Sequence, residues 1–112
     1  ELLRARGLID TVIVSSFDSR FLERLCRLAD APALAWISRR GIAPPPASLV
    51  RELDLYSWHP DHRGLEAPAV ATAHGLGLRV FPWTVNRQSE IRRLLEMAVD
   101  GIISDDPALL TG

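Results

Sequence analysis

Apolar and polar positions along this chain change period several times, and each change marks an element. Val12 to Ser15 is a run rich in β-branched residues and predicts a strand. Asp18 or Ser19 then offers an N-cap, and Phe21, Leu22, Leu25, Leu28 and Ala29 form the apolar stripe of a helix whose wet side carries Arg20, Glu23, Arg24 and Arg27. Ala33 to Ile37 predicts the second strand. Three consecutive prolines within Gly41 to Pro46 enforce an extended connection, and Ala47 to Glu52 suits a short helix. Leu53 to Ser57 is the third apolar run, followed by a helix with Pro68 in its first turn that carries Val70, Ala71, Ala73 and His74 towards Gly75 and Gly77. Leu78 to Phe81, bounded by Gly77 and Pro82, reads as a buried parallel strand. Ile91, Leu94, Leu95 and Ala98 then fall at i, i+3, i+4 and i+7 of one helix face, with Asn86 or Ser89 available to cap it. Gly101 to Ser104 is the last strand, and Asp106-Pro107 pairs an N-cap with a proline at the first position of a further helix.

Strands that alternate with helices or long connections imply parallel pairing with right-handed crossovers. Parallel α/β folds place their ligands at the carboxyl ends of the strands, which turns attention to the loops leaving each one. Pro82 cannot donate to a ladder, so it is expected to end its strand and to commit Trp83, Thr84 and Asn86 to that rim. Ser16 and Phe17 occupy the same rim after the first strand, where the simpler role for Ser16 is to satisfy the loop backbone. Arg39 and Arg40 follow the second strand; such a pair can meet a phosphate, and more commonly forms a solvated face. His59, Asp61 and His62 are the one cluster of metal-ligand types, expected on a loop, and three such residues without fixed geometry make a weak metal signal.

Composition narrows the classes. A formal net charge of −1 provides no basic footprint for nucleic acid. No apolar run approaches the ~20 residues of a membrane span and no signal peptide is visible, so a cytoplasmic location is favoured. Cys26 is the single cysteine, which rules out an internal disulfide and fits a packing role on its helix.

Three stretches together carry a family resemblance. Val12-Ile-Val-Ser-Ser-Phe-Asp18, Val70-Ala-Thr-Ala-His-Gly-Leu-Gly-Leu-Arg-Val80, and Trp83-Thr-Val-Asn86 followed by a helix and Val99-Asp-Gly-Ile-Ile-Ser-Asp-Asp-Pro107 resemble, in order and spacing, the glycerophosphodiester phosphodiesterase family. That family is a (β/α)8 barrel. The resemblance covers nearly the whole chain and implies an α/β fold, about strands 4 to 8 of the barrel with their helices, so that residues 1–112 are the carboxyl-terminal part of the domain. A whole barrel takes ~250 residues. The 112 residues here, opening on Glu1 in what reads as the tail of a helix around Leu2, Leu3 and Leu8, are expected to be a fragment.

By the same resemblance, the activity is metal-dependent hydrolysis of glycerophosphodiesters, a reaction of lipid and glycerol metabolism, with a divalent cation, calcium or magnesium. The family's acid–base histidines and metal-binding carboxylates lie on its first three strands, in His-Arg-Gly, Glu-x-Asp, His-Asp and Glu-x-Lys motifs. None is matched in position here, and His62-Arg63-Gly64 spells the tripeptide after the wrong strand. The chain is therefore expected to hold no catalytic residue and no metal ligand, and to supply pocket wall: Trp83 against the glycerol or alcohol moiety, with Ser16, Phe17 and Asn86 nearby. His74 takes a structural role. The competing readings are a non-catalytic half-barrel that binds or assembles, as a homo-oligomer closing its sheet, and a five-stranded doubly wound domain.

Overall fold

The computed structural model describes residues 13–16, 18–27 and 32–105. The expected leading helix, Val12, Phe17, Leu28, Ala29 and the Asp106-Pro107 helix start lie outside them. Among the described residues the strands β1 (Ile13–Ser16), β2 (Ala33–Ser38), β3 (Leu55–Pro60) and β4 (Arg79–Val80) alternate with the helices α1 (Ser19–Cys26), α2 (Ala47–Leu53), α3 (Ala67–Gly75) and α4 (Gln88–Glu96). Every neighbouring pair is parallel and the order is β1-β2-β3-β4. A doubly wound sheet reverses its strand order at a switch point. This sheet has no reversal, so the doubly wound alternative is set aside in favour of strands that follow one another as in a barrel wall.

The register explains where the core sits. Trp36, Trp58 and Val80 lie side by side, so they share one face of the sheet. Trp58 and Val80 belong to a single buried cluster with Val50 and Leu53 of α2, Val70 and Ala73 of α3, and Ile91 and Leu94 of α4. The helices therefore cover that face. Ala35, Ser57 and Arg79 form the neighbouring row, which alternation turns to the opposite face with Ile37 and His59.

Several elements differ from the sequence reading for local reasons. Asp18 does cap α1, its carboxylate accepting the Arg20 N–H at 2.9 Å, but the stripe is narrower than expected: Leu22 is buried while Phe21 is exposed. Leu53 closes α2 rather than opening β3, because Asp54 takes a left-handed conformation with φ of 50° and turns the chain. The third strand is thus displaced to Leu55–Pro60, which carries His59 into a strand instead of a loop. On α4 only Ile91 and Leu94 of the expected face are buried; Leu95 is exposed, and Ala98 lies past the C-cap Met97 with φ of 65°. Arg87 is the N-cap residue of α4 and makes no side-chain cap bond. Asn86 turns away instead, its Oδ1 accepting the Ser104 hydroxyl at 2.9 Å and the Asp105 N–H at 3.2 Å.

Pro82 acts on one edge only. Against β3 the pairing runs on past it: the Phe81 N–H donates to the Trp58 carbonyl, the Trp83 N–H to that of Pro60 and the His62 N–H to that of Trp83. On the other edge the Asp100 N–H donates to the Val80 carbonyl at 3.0 Å, and the next rung of a parallel ladder would need a donor at position 82. Proline has none. Residues 101–104 consequently run alongside without becoming a regular strand, held by the Ile103 N–H on the Pro82 carbonyl at 3.0 Å and the Val85 N–H on the Ile103 carbonyl at 2.9 Å.

Gly101 is demanded by this approach, since a Cβ there would lie 2.8 Å from Cδ1 and 2.9 Å from Cε1 of Phe81. Gly101→Ala is expected to lower stability by ~1–3 kcal/mol through overpacking. Gly75→Ala, at the end of α3 with open space around it, is expected to raise stability by about 0.5 kcal/mol. Urea unfolding of the two variants checks the opposite signs. No helix among the described residues is long and apolar enough to cross a membrane.

Candidate functional site

The carboxyl rim is built where β3 ends and the chain beyond β4 pairs with it. Asp61 and Trp83 form a parallel bridge there, and period-two alternation places both on the face of Ser57 and His59, opposite the helix-packed core. Trp83 is half-buried and its indole N–H donates to the His59 carbonyl at 2.8 Å. The Asp61 carboxylate is buried and receives three donors from one residue: the Arg63 N–H at 3.0 Å, Nε–H at 3.0 Å and Nη2–H at 2.6 Å. The side-chain bond from Arg63 outweighs burial and holds the Asp61 carboxyl below its ordinary value. The chief product of this lock is an Arg63 guanidinium fixed at the rim with 57% of its side chain exposed.

A second network ties the same loop to α4. His62 Nδ1 lies 2.8 Å from Glu90 Oε2, and Arg93 donates its Nε–H to Glu90 Oε1 at 2.8 Å and its Nη2–H to Oε2 at 2.7 Å. Arg93 also donates to the main-chain carbonyls of Leu65 at 2.8 Å and His62 at 3.0 Å. Hydrogen bonding from Arg93, and then from His62, lowers the Glu90 carboxyl from 4.5 to about 2. Because the folded value is depressed, the associated stability is present above pH 4.5 and is lost as pH falls from there through about 2. Urea midpoints between pH 2 and 5 are expected to fall more steeply with acid for the unaltered chain than for Glu90→Gln.

The other histidines serve packing. His59 Nε2 sits 3.0 Å from the Ser57 hydroxyl, its ring meets Phe81 edge-on at 5.4 Å, and burial pushes its pKa down from 6.5 to about 4. It is a neutral imidazole at pH 7. His74 Nε2 lies 2.8 Å from Asp100 Oδ2, which also accepts the Val80 N–H at 2.7 Å, so it fastens α3 to the edge of the sheet. His59, Asp61 and His62 are therefore adjacent in sequence but spent on separate partners. Among the described residues no three His, Cys, Asp or Glu gather as a metal site requires. Among the described residues no set of side chains fits the divalent cation that the resemblance implies.

Two adjoining cavities mark the rim. Trp83 lines one of about 220 Å³ with Asp61, His62, Arg63 and Thr84. Asn86 lines another of about 430 Å³ with His62, Arg63, Thr84, Arg87, Ser89 and Glu90. Trp83 and Asn86 are thus brought to one depression. Ser16 is not: by register it shares the row of Trp36, on the helix-packed face, and its Oγ accepts the Asp18 N–H at 2.9 Å. Phe17 lies outside the described residues. Arg39 and Arg40 are exposed at the end of β2, and Arg39 borders a separate cavity with Trp36, Ile37, Ser38 and Ile42.

A further cavity of about 350 Å³ opens at the amino ends of the strands beside Cys26, Ala33, Leu55 and Gly77, the end away from the loops that bind ligands in such folds. Cys26 donates its thiol to the Glu23 carbonyl, as a packing residue does. Sequence reasoning missed Arg63, Glu90 and Arg93. The i, i+3 spacing of Glu90 and Arg93 on a helix was an available signal for one of the two locks.

Comparison with known proteins adds to this geometry. Residues 2–109 match the model of the Glycerophosphoryl diester phosphodiesterase family. A glycerophosphodiester phosphodiesterase of Caldanaerobacter subterraneus subsp. tengcongensis is 32% identical over 101 residues, which is 90% of this chain and 41% of that protein. A solved glycerophosphodiester phosphodiesterase of Thermotoga maritima superposes with a TM-score of 0.75 at 21% identity, over 97% of this chain and 50% of that one. An Oleispira antarctica phosphodiesterase, solved with its product sn-glycerol-3-phosphate, gives 0.72 at 20% identity, over 89% and 42%. At these identities the two structures share the fold. The chain spans 34% to 41% of the length of the curated relatives it matches.

Proposed function

Because this chain belongs to the glycerophosphoryl diester phosphodiesterase family, we propose that it forms the carboxyl-terminal wall of a (β/α)8 barrel that hydrolyses glycerophosphodiesters to an alcohol and glycerol 3-phosphate. The observation that carries this reading, beyond the family match, is the Asp61–Trp83 bridge at the carboxyl end of the sheet, on the face opposite the helices. That face becomes the lumen when the sheet curls closed. Trp83 then offers a flat apolar surface to the carbon skeleton of the substrate, Asn86 stands at the outer edge of the same depression, and the Arg63 lock and the Glu90 latch hold the loops in place. Ser16 stays out of that wall: it shares the helix-packed row of Trp36, and its Oγ braces the loop after β1 by accepting the Asp18 N–H.

Proton transfer and the calcium or magnesium ion, whose chemistry is to neutralise the phosphate, belong to residues outside this stretch. The complete protein carrying this sequence, assayed for glycerol 3-phosphate release from several glycerophosphodiesters with either cation and with chelator, tests the proposal. Absence of release from every diester would sink it. One observation supports the second reading, a binding or assembly module: each histidine of the chain is already bonded to a side chain that is not another histidine. In that reading two copies close the sheet, and sedimentation of a dimer without hydrolysis would favour it.

A further inference from the structure

We infer that the rim depression selects glycerophosphodiesters whose alcohol moiety carries a negative charge over those whose alcohol is cationic, with Arg63 and Arg87 as the residues that read it. The inference rests on the proposed function. It begins from two adjoining cavities that share His62, Arg63 and Thr84 as walls, one reaching Trp83 and the other Arg87. An alcohol group that leaves Trp83 along this path passes over Arg63 and ends beside Arg87 and Ser89.

The charges lining the path do not cancel. Among the described residues Glu90 is the one carboxylate lining the outer cavity, and both its oxygens are taken by Arg93, with His62 on Oε2 as well. Asp61 is buried beneath Arg63 and bonded to it by both oxygens, so its charge is covered by that guanidinium. Arg63 uses its Nε and Nη2 on Asp61 and is held rigid by them, which leaves the exposed part of its planar fork pre-set for a further acceptor. Arg87 is exposed and has no carboxylate partner among the described residues. Counting Arg93, which pairs with Glu90 from behind the lining, the described groups along the path hold three guanidiniums against two carboxylates, and the unmatched charge is that of Arg87. A carboxylate or phosphate on the alcohol gains from it, while a quaternary ammonium meets repulsion, and both effects weaken with salt because the site is open to water.

The test uses the complete protein and two substrates: glycerophosphocholine, whose alcohol carries only a cation, and glycerophosphoserine, whose alcohol is zwitterionic and brings a carboxylate to the path beside its ammonium. The ratio of kcat/KM for the serine diester to that for the choline diester is expected to exceed one at low salt, to shrink towards one at 0.5 M salt, and to fall by about tenfold in Arg87→Glu. Arg87→Gln is expected to fall part of the way, and Arg51→Gln, on α2 outside either cavity, to leave the ratio where it was. A choline preference in the unaltered protein, or a ratio unmoved by both Arg87 variants, overturns the charge assignment and leaves the enzyme reading standing. Hydrolysis of neither diester nor any other would overturn both together.

Discussion

The 112-residue chain purified by itself is expected to release no glycerol 3-phosphate from glycerophosphocholine, with calcium or magnesium present. Diester hydrolysis of the kind proposed needs a cation at the phosphate and a group that moves a proton. General acid–base catalysis contributes ~10²- to 10⁴-fold, and a bound metal several kcal/mol more of charge stabilisation. All three histidines of the chain are among the described residues, and each is occupied. His59 is buried and neutral against Ser57 and Phe81, His62 is joined to Glu90, and His74 is joined to Asp100. The carboxylates at the rim are engaged as firmly, Asp61 by Arg63 and Glu90 by Arg93. Losing both contributions at once takes the rate below detection in an ordinary assay. Turnover by the isolated chain that disappears with chelator would overturn this, and would point to His62 and Asp61 as the groups that had changed partners.

Much of the fold was legible because it rests on short-range signals. The apolar runs and the i, i+3, i+4 spacings placed an alternation of strands and helices, and Asp18 was readable as a cap because a carboxylate two residues ahead of a free N–H has few other uses. Boundaries failed where a single backbone conformation decided them. Nothing in Leu53-Asp54-Leu55 announces a left-handed aspartate, and that one residue shifted the strand and buried His59. Pro82 was understood as a missing donor, yet a strand has two edges, and which edge loses the bond depends on parity relative to β3.

The placement of the candidate residues was legible to the same degree. Trp83 and Asn86 follow from the position of one strand end, and both reach the rim depression. Ser16 differs because alternation after β1 turns it towards the helices, a matter of register that a single chain does not display. Glu90 and Arg93 were missed since their meaning lies in contacts between a helix and a loop some thirty residues away, whereas the partner of Arg63 is Asp61, only two residues back.

In the complete protein, Trp83→Ala is expected to cost about tenfold in kcat/KM while the melting temperature moves by only a few degrees. The main chain at Trp83 is held on both sides, its N–H on the Pro60 carbonyl and its carbonyl on the His62 N–H, and alanine keeps both bonds. What is lost inside the fold is the indole bond to the His59 carbonyl, ~1 kcal/mol or ~2–4 °C for a domain of 150–250 residues, together with the contacts of the buried side of the ring. What is lost to the substrate is a half-exposed aromatic face. Covering even ~60 Å² of it is worth ~1.5 kcal/mol at ~25 cal/mol per Å², or about tenfold. Trp58 provides the contrast: it is fully buried in the helix-packed core, and Trp58→Ala is expected to cost ~3–5 kcal/mol and to collapse the melting temperature. Trp83→Phe separates the two components of Trp83, because it keeps a flat apolar ring and removes the N–H. Kinetics largely restored by phenylalanine, with the small thermal loss retained, is the result expected of a pocket wall. A melting temperature that falls as far for Trp83→Ala as for Trp58→Ala, with kinetics unaltered in the surviving protein, would place Trp83 in the core and remove it from the site.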